Sequence, residues 1–382
     1  MLQATQSQQA TAFVCPSLPE NAFATDVLAG LGHTPKTLPS VWLYDQRGSE
    51  LFEEITGLDE YYQTRTETAL LGECSAAIAD VVGPNAVVVE FGSGSSRKTP
   101  LLLDALVTPR AYVPVDIADD FLDDAVATLA RRCPGIPMLP VRADFTRPFH
   151  LPPQLQNTQG PRLGFFPGST IGNFAPGQAA AFLAHVGKML GPHRRMVVGV
   201  DACKDPAVLL PAYDDARGVT AQFDLNVLVR INRELDGDLP LEAFRHEARF
   251  NAKASRIEMH LVAQRAFSAT VLGHRFDFAA GESIHTENSY KYGQTEFRAL
   301  ANSAGWDIER VWLDARSRFA VYLLRPANGE CSGGRLHKAL KENAPRRLKF
   351  LRRCAVDACR LMLPAMDVTN VQRDSPSHSA RP

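Results

Sequence analysis

Between residues 66 and 200 two hydrophobic patterns alternate. Short apolar runs stand at 86–91 (Ala-Val-Val-Val-Glu-Phe), 111–115, 137–141, 162–166 and 196–200. Runs of that length and β-branched content read as strands buried on both faces. Segments with apolar positions three and four apart lie among them and predict helices over about 66–82, 98–106, 118–132 and 178–191. This β–α rhythm predicts a parallel, doubly wound sheet.

After Asp201 the rhythm breaks. Helix-like spacing over 212–235 and 241–249 precedes two alternating strands, 256–262 and 266–271. A helix at 295–304 and strands near 307–313 and 318–325 then resume the sheet. The organisation expected is a flexible tail over 1–20 and a cap segment over 21–65. A sheet domain is built from 66–200 and 288–326, with an α+β subdomain inserted at 201–287. The extension 327–382 opens on a Pro/Gly-rich linker and is expected to be partly disordered. Its residues 335–360 carry nine Lys/Arg against Glu342 and Asp357, with apolar residues on one helical face.

Charge and cysteines narrow the class. A formal net charge of −1 over 382 residues argues against a core built around nucleic acid. The seven cysteines are scattered without a C-x-x-C pair, which reads as reduced thiols and not as a disulfide frame or zinc site, so no metal is expected. Neither a secretory leader nor a membrane-spanning run is recognisable, and a cytoplasmic protein is the expectation.

The most informative stretch is Glu90-Phe-Gly-Ser-Gly-Ser-Ser-Arg-Lys-Thr99, which joins a strand to a helix. Its glycines let the backbone pass close to a ligand at a helix start. The spacing is neither G-x-G-x-x-G nor a Walker loop. An acidic residue before a short G-x-G suits S-adenosylmethionine, which carries an ammonium and a carboxylate; a purely structural glycine turn and a nicotinamide-dependent dehydrogenase corner are the alternatives. Asp116 ends the second strand, where an acidic residue can hold ribose hydroxyls or cap the next helix. Asp144-Phe145 follows the third strand, at the place where adenine would be read, and Asp144 could equally serve as an N-cap. Lys98 stands at the new helix, within reach of a carboxylate or in solvent. Asn173 closes the loop after the fourth strand, at the carboxyl edge where ligands bind. Tyr44, Tyr61, Tyr62 and Tyr213 lie outside the sheet pattern, in segments that could cover the cleft. Residues 283–292 form a polar cluster around Glu287-Asn-Ser289 with no helix or strand period, as a loop would.

Eight ordered motifs over about residues 30–326 resemble one family. They are Trp42-Leu-Tyr-Asp-x-x-Gly-Ser-x-Leu-Phe, Glu60-Tyr-Tyr-x-Thr-Arg, Glu90-Phe-Gly-Ser-Gly, Tyr112-Val-Pro-Val-Asp116, Asp144-Phe-Thr, Gly168-Ser-Thr-Ile-Gly-Asn173, Ala212-Tyr-Asp-Asp-Ala-x-Gly-Val-Thr220 and His285-Thr-Glu-Asn-Ser289. Together they are similar to the L-histidine Nα-methyltransferases of ergothioneine biosynthesis. The resemblance implies a Rossmann-like class I methyltransferase sheet. Gly92, Lys98, Asp116, Asp144 and Phe145 would hold S-adenosylmethionine. Tyr61, Asn173 and Tyr213 would hold the amino and carboxylate end of histidine, and Glu287 and Ser289 its imidazole. Tyr44 would lie near the methylated nitrogen, with Thr220 and Met259 lining the pocket. Asn288 departs from the aliphatic residue of well-studied relatives, which opens the substrate to another amino acid such as tryptophan. Three methyl transfers are expected, by a monomer whose core takes no nucleic acid and which has no membrane span. A regulatory protein working through its basic tail is the reading from another class, and that tail is free to bind an unknown partner.

Overall fold

The computed structural model describes residues 13–14 and 21–327, apart from 95, 118 and 157. The basic extension read in the sequence lies outside the described residues. Two short strands, β1 (Phe13–Val14) and β2 (Lys36–Thr37), come first. Then β3 (Val87–Phe91), β4 (Ala111–Asp116), β5 (Val141–Arg142), β6 (Arg162–Phe166) and β7 (Arg194–Asp201) follow in the alternating region. A block of β8 (Phe244–Asn251), β9 (Arg256–Ala263), β10 (Phe267–Val271), β11 (His274–Phe278) and β12 (Ser283–Tyr290) precedes the last pair, β13 (Trp306–Leu313) and β14 (Phe319–Pro326).

Eight strands form one sheet in the order β1-β5-β4-β3-β6-β7-β14-β13. The pairs from β1 to β7 are parallel, and β14 runs antiparallel to both β7 and β13. From β3 the chain steps outward through β4 to β5, then returns to place β6 on the other side of β3. That reversal opens a crevice at the carboxyl ends of β3 and β6, the usual seat of a ligand in such sheets. Every residue of β3 is buried, as an apolar run in a covered parallel strand requires. One face packs Val89, Val113 and Phe166 under the helix Pro176–Leu190, and the other packs Val88, Tyr112 and Phe165 under the helix Tyr62–Val82.

The smaller sheet has the order β2-β12-β9-β8, with β10 and β11 as a separate hairpin. A core of its own, including Trp42, Phe223, Val227 and Met259, joins it to the helices Gln46–Thr56 and Val219–Glu234.

Several elements differ from their sequence reading, among them Phe13–Val14, which leave the expected flexible tail to pair with β5. The strand expected over 137–141 shrinks to Val141–Arg142 plus one bridge from Met138 to Tyr112, because Pro137 and Pro140 have no N–H to donate. The helix expected over 98–106 is a five-residue turn of helix, Thr99–Leu103. The helix expected from 212 begins at Val219, where Gly218 takes φ +70° and the Asp215 carboxylate accepts the N–H of Val219 and of Thr220 at 3.1 and 2.7 Å. Residues 241–249 are a short 3₁₀ turn, Leu241–Ala243, and then strand β8; pairing with β9 overrides the helical spacing of Leu241, Phe244 and Ala248.

Candidate active site

The first wall of the site is the glycine corner after β3. Gly92 and Gly94 adopt φ of +68° and +47°, the left-handed region that glycine enters without strain. A Cβ at Gly92 would come 3.3 Å from the Phe145 ring, so the corner is bare backbone facing an aromatic edge. Asp116 braces it: Oδ2 accepts the Gly94 N–H at 2.9 Å and Oδ1 the Ile117 N–H at 2.7 Å. Glu90 is buried, and its Oε2 accepts from Thr99 Oγ1 at 2.7 Å and Tyr112 Oη at 2.6 Å. Burial pushes its carboxyl up to about 7 against those two hydrogen bonds. Asp144 Oδ1 accepts from the N–H and hydroxyl of Thr146, closing a tight turn beside Phe145. Lys98 does not reach into solvent. Its Nζ donates at 2.5 Å to Glu67 Oε2, which also accepts the Gly168 N–H at 2.8 Å. Bare glycine backbone, a carboxylate at the end of β4 and an aromatic edge at Phe145 fit an adenosyl group with an amino-acid tail.

The second wall is β12. Its 283–292 cluster, read from sequence as a loop, is largely a buried strand. The pairing with β9 shifts between His285 and Glu287, and this bulge scrambles the period-two pattern that would have revealed it. Beyond the bulge Glu287 lies opposite Met259 and Ser289 opposite Ile257. Asn288 falls between them opposite Glu258 and also borders the cavity. Glu287 is 7% exposed, and its Oε1 accepts from Asn173 Nδ2 at 3.0 Å and from Tyr44 Oη at 3.4 Å. Among the described residues its Oε2 has no hydrogen-bond partner. Burial first, then the negative charge of Asp224, pushes the Glu287 carboxyl up to about 8. The Tyr44 phenol is held protonated by its own burial and by Glu287. Aromatic rings surround this end: Tyr44 stands 5.3 Å from Phe223, and Tyr61 6.3 Å from Tyr213, between ring centroids.

Beneath Ser289 lies a polar network that sequence reasoning missed. Lys291 Nζ donates to Tyr213 Oη at 2.7 Å and Ser289 Oγ at 2.8 Å, and pairs with Asp201 Oδ2 at 2.8 Å. The side chains of Lys291 and Asp201 are fully buried. Tyr62 Oη donates to Asp201 at 2.9 Å, and Lys204 Nζ donates to both. The sequence did hold signals: Asp201 ends an apolar strand at the ligand edge, and Lys291 sits between two tyrosines.

One cavity of about 900 Å³ brings the two walls together. It is bordered by Gly92, Lys98, Asp116, Asp144 and Phe145 on the sheet side, and by Tyr44, Tyr61, Asn173, Tyr213, Thr220, Met259, Glu287, Asn288 and Ser289 on the other. These candidates from the sequence therefore face a single space; Tyr62 does not border it, because its buried hydroxyl is bound to Asp201. Among the described residues no helix is long and apolar enough to cross a membrane.

A reversed α/β sheet with a glycine corner and an acidic strand end beside a large cavity is that of a class I S-adenosylmethionine-dependent methyltransferase. Residues 23–326 match the family described as histidine-specific, SAM-dependent methyltransferases, and the chain belongs to it. It is 42% identical to the histidine N-alpha-methyltransferase of Mycolicibacterium smegmatis, across 79% of this chain and 94% of that one. It is 41% identical to the enzyme of the same name from Mycobacterium tuberculosis, with equal coverage. A more distant relative is the 4-dimethylallyltryptophan N-methyltransferase of Claviceps purpurea, 26% identical over 81% of this chain and 96% of the relative.

Proposed function

We propose that the enzyme methylates the α-amino nitrogen of L-histidine three times, giving the trimethylated betaine from which ergothioneine is made. The observation that carries the substrate is Glu287. A buried carboxylate with one oxygen held by Asn173 and Tyr44 and the other open to the cavity asks for an N–H donor on the acceptor's side chain. The names of the mycobacterial relatives support the same substrate, and a relative named ergothioneine biosynthesis protein 1 in Neurospora crassa supports the pathway; the chain spans only 32% of that longer protein.

S-adenosylmethionine supplies a methyl group activated on a sulfonium. In this reading Gly92 and the adjoining backbone seat its amino-acid tail, Asp116 its ribose, and Asp144-Phe145 its adenine. Lys98 acts from beneath through its pair with Glu67. Tyr61, Asn173 and Tyr213 hold the amino-acid end of histidine, Glu287 and Ser289 the ring, and Thr220 and Met259 the sides. The four-stranded sheet and the cap at 21–65 form the acceptor half. The α-amino group must be neutral to attack, and since a free amino acid carries it as an ammonium near neutrality, a proton has to leave before each transfer. Orientation is the larger contribution. As methyl groups accumulate the nitrogen becomes a fixed cation. Tyr44, Tyr61 and Tyr213 offer ring faces to it, worth about 0.5–2 kcal/mol each.

The test is mass spectrometry of the purified enzyme with S-adenosylmethionine and an equimolar mixture of amino acids. Trimethylated histidine is the expected product. A different methylated amino acid would move the substrate and keep the reaction.

A further inference from the structure

The reading of Glu287 and Ser289 as the ring clamp leaves Lys291 without a task, although it is among the most buried charges in the molecule. Its ammonium has three N–H groups and three acceptors at 2.7–2.8 Å: Tyr213 Oη, Ser289 Oγ and Asp201 Oδ2. Tyr213 Oη thus accepts from Lys291 and, at 3.5 Å, from Gln63 Nε2, which uses its accepting capacity. With both lone pairs taken, the assignment that satisfies the phenol sends its own hydrogen to Ser289 Oγ, 2.8 Å away. Ser289 Oγ then accepts twice, from Lys291 and Tyr213, and a hydroxyl has only two lone pairs. Among the described residues no acceptor remains for the hydrogen of Ser289. It points to the cavity as a donor and cannot accept.

We propose that Lys291 is a positioning residue that locks the Ser289 hydroxyl as a donor, so that the site takes its acceptor's ring as neutral imidazole against an ionised Glu287. The proposal rests on histidine as the substrate. Neutral imidazole has one N–H donor and one bare nitrogen. The N–H meets Glu287 Oε2, and the bare nitrogen meets the Ser289 hydrogen. Imidazolium has two donors, and its second N–H would face a hydroxyl hydrogen with the Lys291 ammonium behind it. A protonated Glu287 with a neutral ring sets hydrogen against hydrogen at one end. Only the neutral ring with the carboxylate satisfies both contacts.

The other titratable and charged groups around this clamp come from each neighbouring element. Asp224 on the helix Val219–Glu234 is bound to His246 Nδ1 at 2.7 Å. Tyr44, Tyr61 and Tyr213 line the cavity, and His285 precedes the bulge, its Nε2 bonded to the Glu287 carbonyl at 3.0 Å. Asp201 lies under Lys291, itself shared with Lys204 and Tyr62. Asp201 therefore keeps two partners when Lys291 is replaced.

The free enzyme holds a proton on Glu287 at pH 7, since that carboxyl titrates at about 8, and free imidazole is mostly neutral above about 6.5. Binding a neutral ring against the carboxylate sends about one proton to solvent. Binding imidazolium would move that proton to the ring and release almost none.

The experiment is calorimetric titration of L-histidine into enzyme saturated with S-adenosylhomocysteine at pH 7, in buffers of different ionisation enthalpy. Lys291→Met and Lys291→Gln are expected to release about one proton fewer than the wild type; the α-amino group contributes equally to all three. A loss of packing alone would weaken binding without changing this count. Equal counts in wild type and variants would overturn the role of Lys291. Should neither variant bind S-adenosylhomocysteine, the trimethylated betaine, which has no titrating amine, is titrated into the wild type. Release of about one proton supports the neutral ring, and release of none overturns it. Absence of histidine binding with S-adenosylhomocysteine binding intact would overturn the histidine reading itself, and this proposal with it.

Discussion

Asn173 Nδ2 and Glu287 Oε1 meet at 3.0 Å across 114 residues of sequence, joining the loop after β6 to strand β12. The bond ties the edge of the eight-stranded sheet to the smaller sheet and turns one Glu287 oxygen toward Asn173. The other is left for a ligand. Replacement of Glu287 by alanine removes a charge-assisted hydrogen bond worth about 1.5–3 kcal/mol. The kcat/KM for histidine should fall roughly 10- to 150-fold, and the selectivity over leucine should collapse. Affinity for S-adenosylhomocysteine, read by calorimetry, should not change. Wild-type histidine kinetics in that variant would remove Glu287 from the ring clamp.

The same carboxyl makes stability depend on pH. Glu287 titrates at about 8 and Glu90 at about 7, both above the ordinary 4.5, with burial the main cause in each. A carboxyl raised by folding contributes stability that is fully present below about 4.5. That contribution is lost as pH rises through 7 to 8. Glu287→Gln cannot ionise and is spared the loss. Its melting temperature relative to wild type should therefore be higher at pH 9 than at pH 5.5, by a few degrees in a thermal scan. A gap that does not change with pH would show that Glu287 pays nothing for ionisation in the fold.

Gly172 makes the contact between Asn173 and β12 possible. A Cβ there would sit 2.7 Å from the Tyr290 carbonyl oxygen and 3.4 Å from Ser289 Oγ. Backbone has to move to admit it. Gly172→Ala should cost about 1–3 kcal/mol as an overpacked site, lower the melting temperature and raise the histidine KM several-fold. S-adenosylhomocysteine should bind as before, because the glycine corner lies on other loops. Unchanged melting and KM would mean that the 3₁₀ turn Thr170–Asn173 gives way freely.

Legibility in the sequence followed physical simplicity. Buried parallel strands such as Val87–Phe91 are continuous apolar runs, and they were plain. The glycine corner, Asp116 and Asn173 could be placed because ligands gather at the carboxyl edge of such sheets. Glu287 was singled out as polar residues without a period, and the bulge at 285–287 explains why its strand was not recognised. Residues 241–249 misled because apolar positions three and four apart serve a strand as well as a helix once β9 pairs with them. Glu67, Asp201 and Lys291 were missed for a different reason. Each is a charge made tolerable by a partner far along the chain, such as Lys98 for Glu67, and no local pattern encodes that partner.

Asp116 has two jobs in this structure, bracing Gly94 at 2.9 Å and facing the cavity at the end of β4. The Asp116→Asn variant separates them. An amide oxygen can still accept the Gly94 N–H while its NH2 turns to the Ile117 N–H, so the loop keeps half of its brace and the melting temperature should fall by only a few degrees. A ribose hydroxyl, in contrast, loses a charged acceptor, a difference of about 1.5–3 kcal/mol. The Kd for S-adenosylhomocysteine should rise roughly 10- to 150-fold. The histidine KM measured at saturating S-adenosylmethionine should move little. A Kd within twofold of wild type in a well-folded Asp116→Asn enzyme would leave Asp116 as a loop brace alone. The ribose would then have to be held by another group at the ends of β3 and β4.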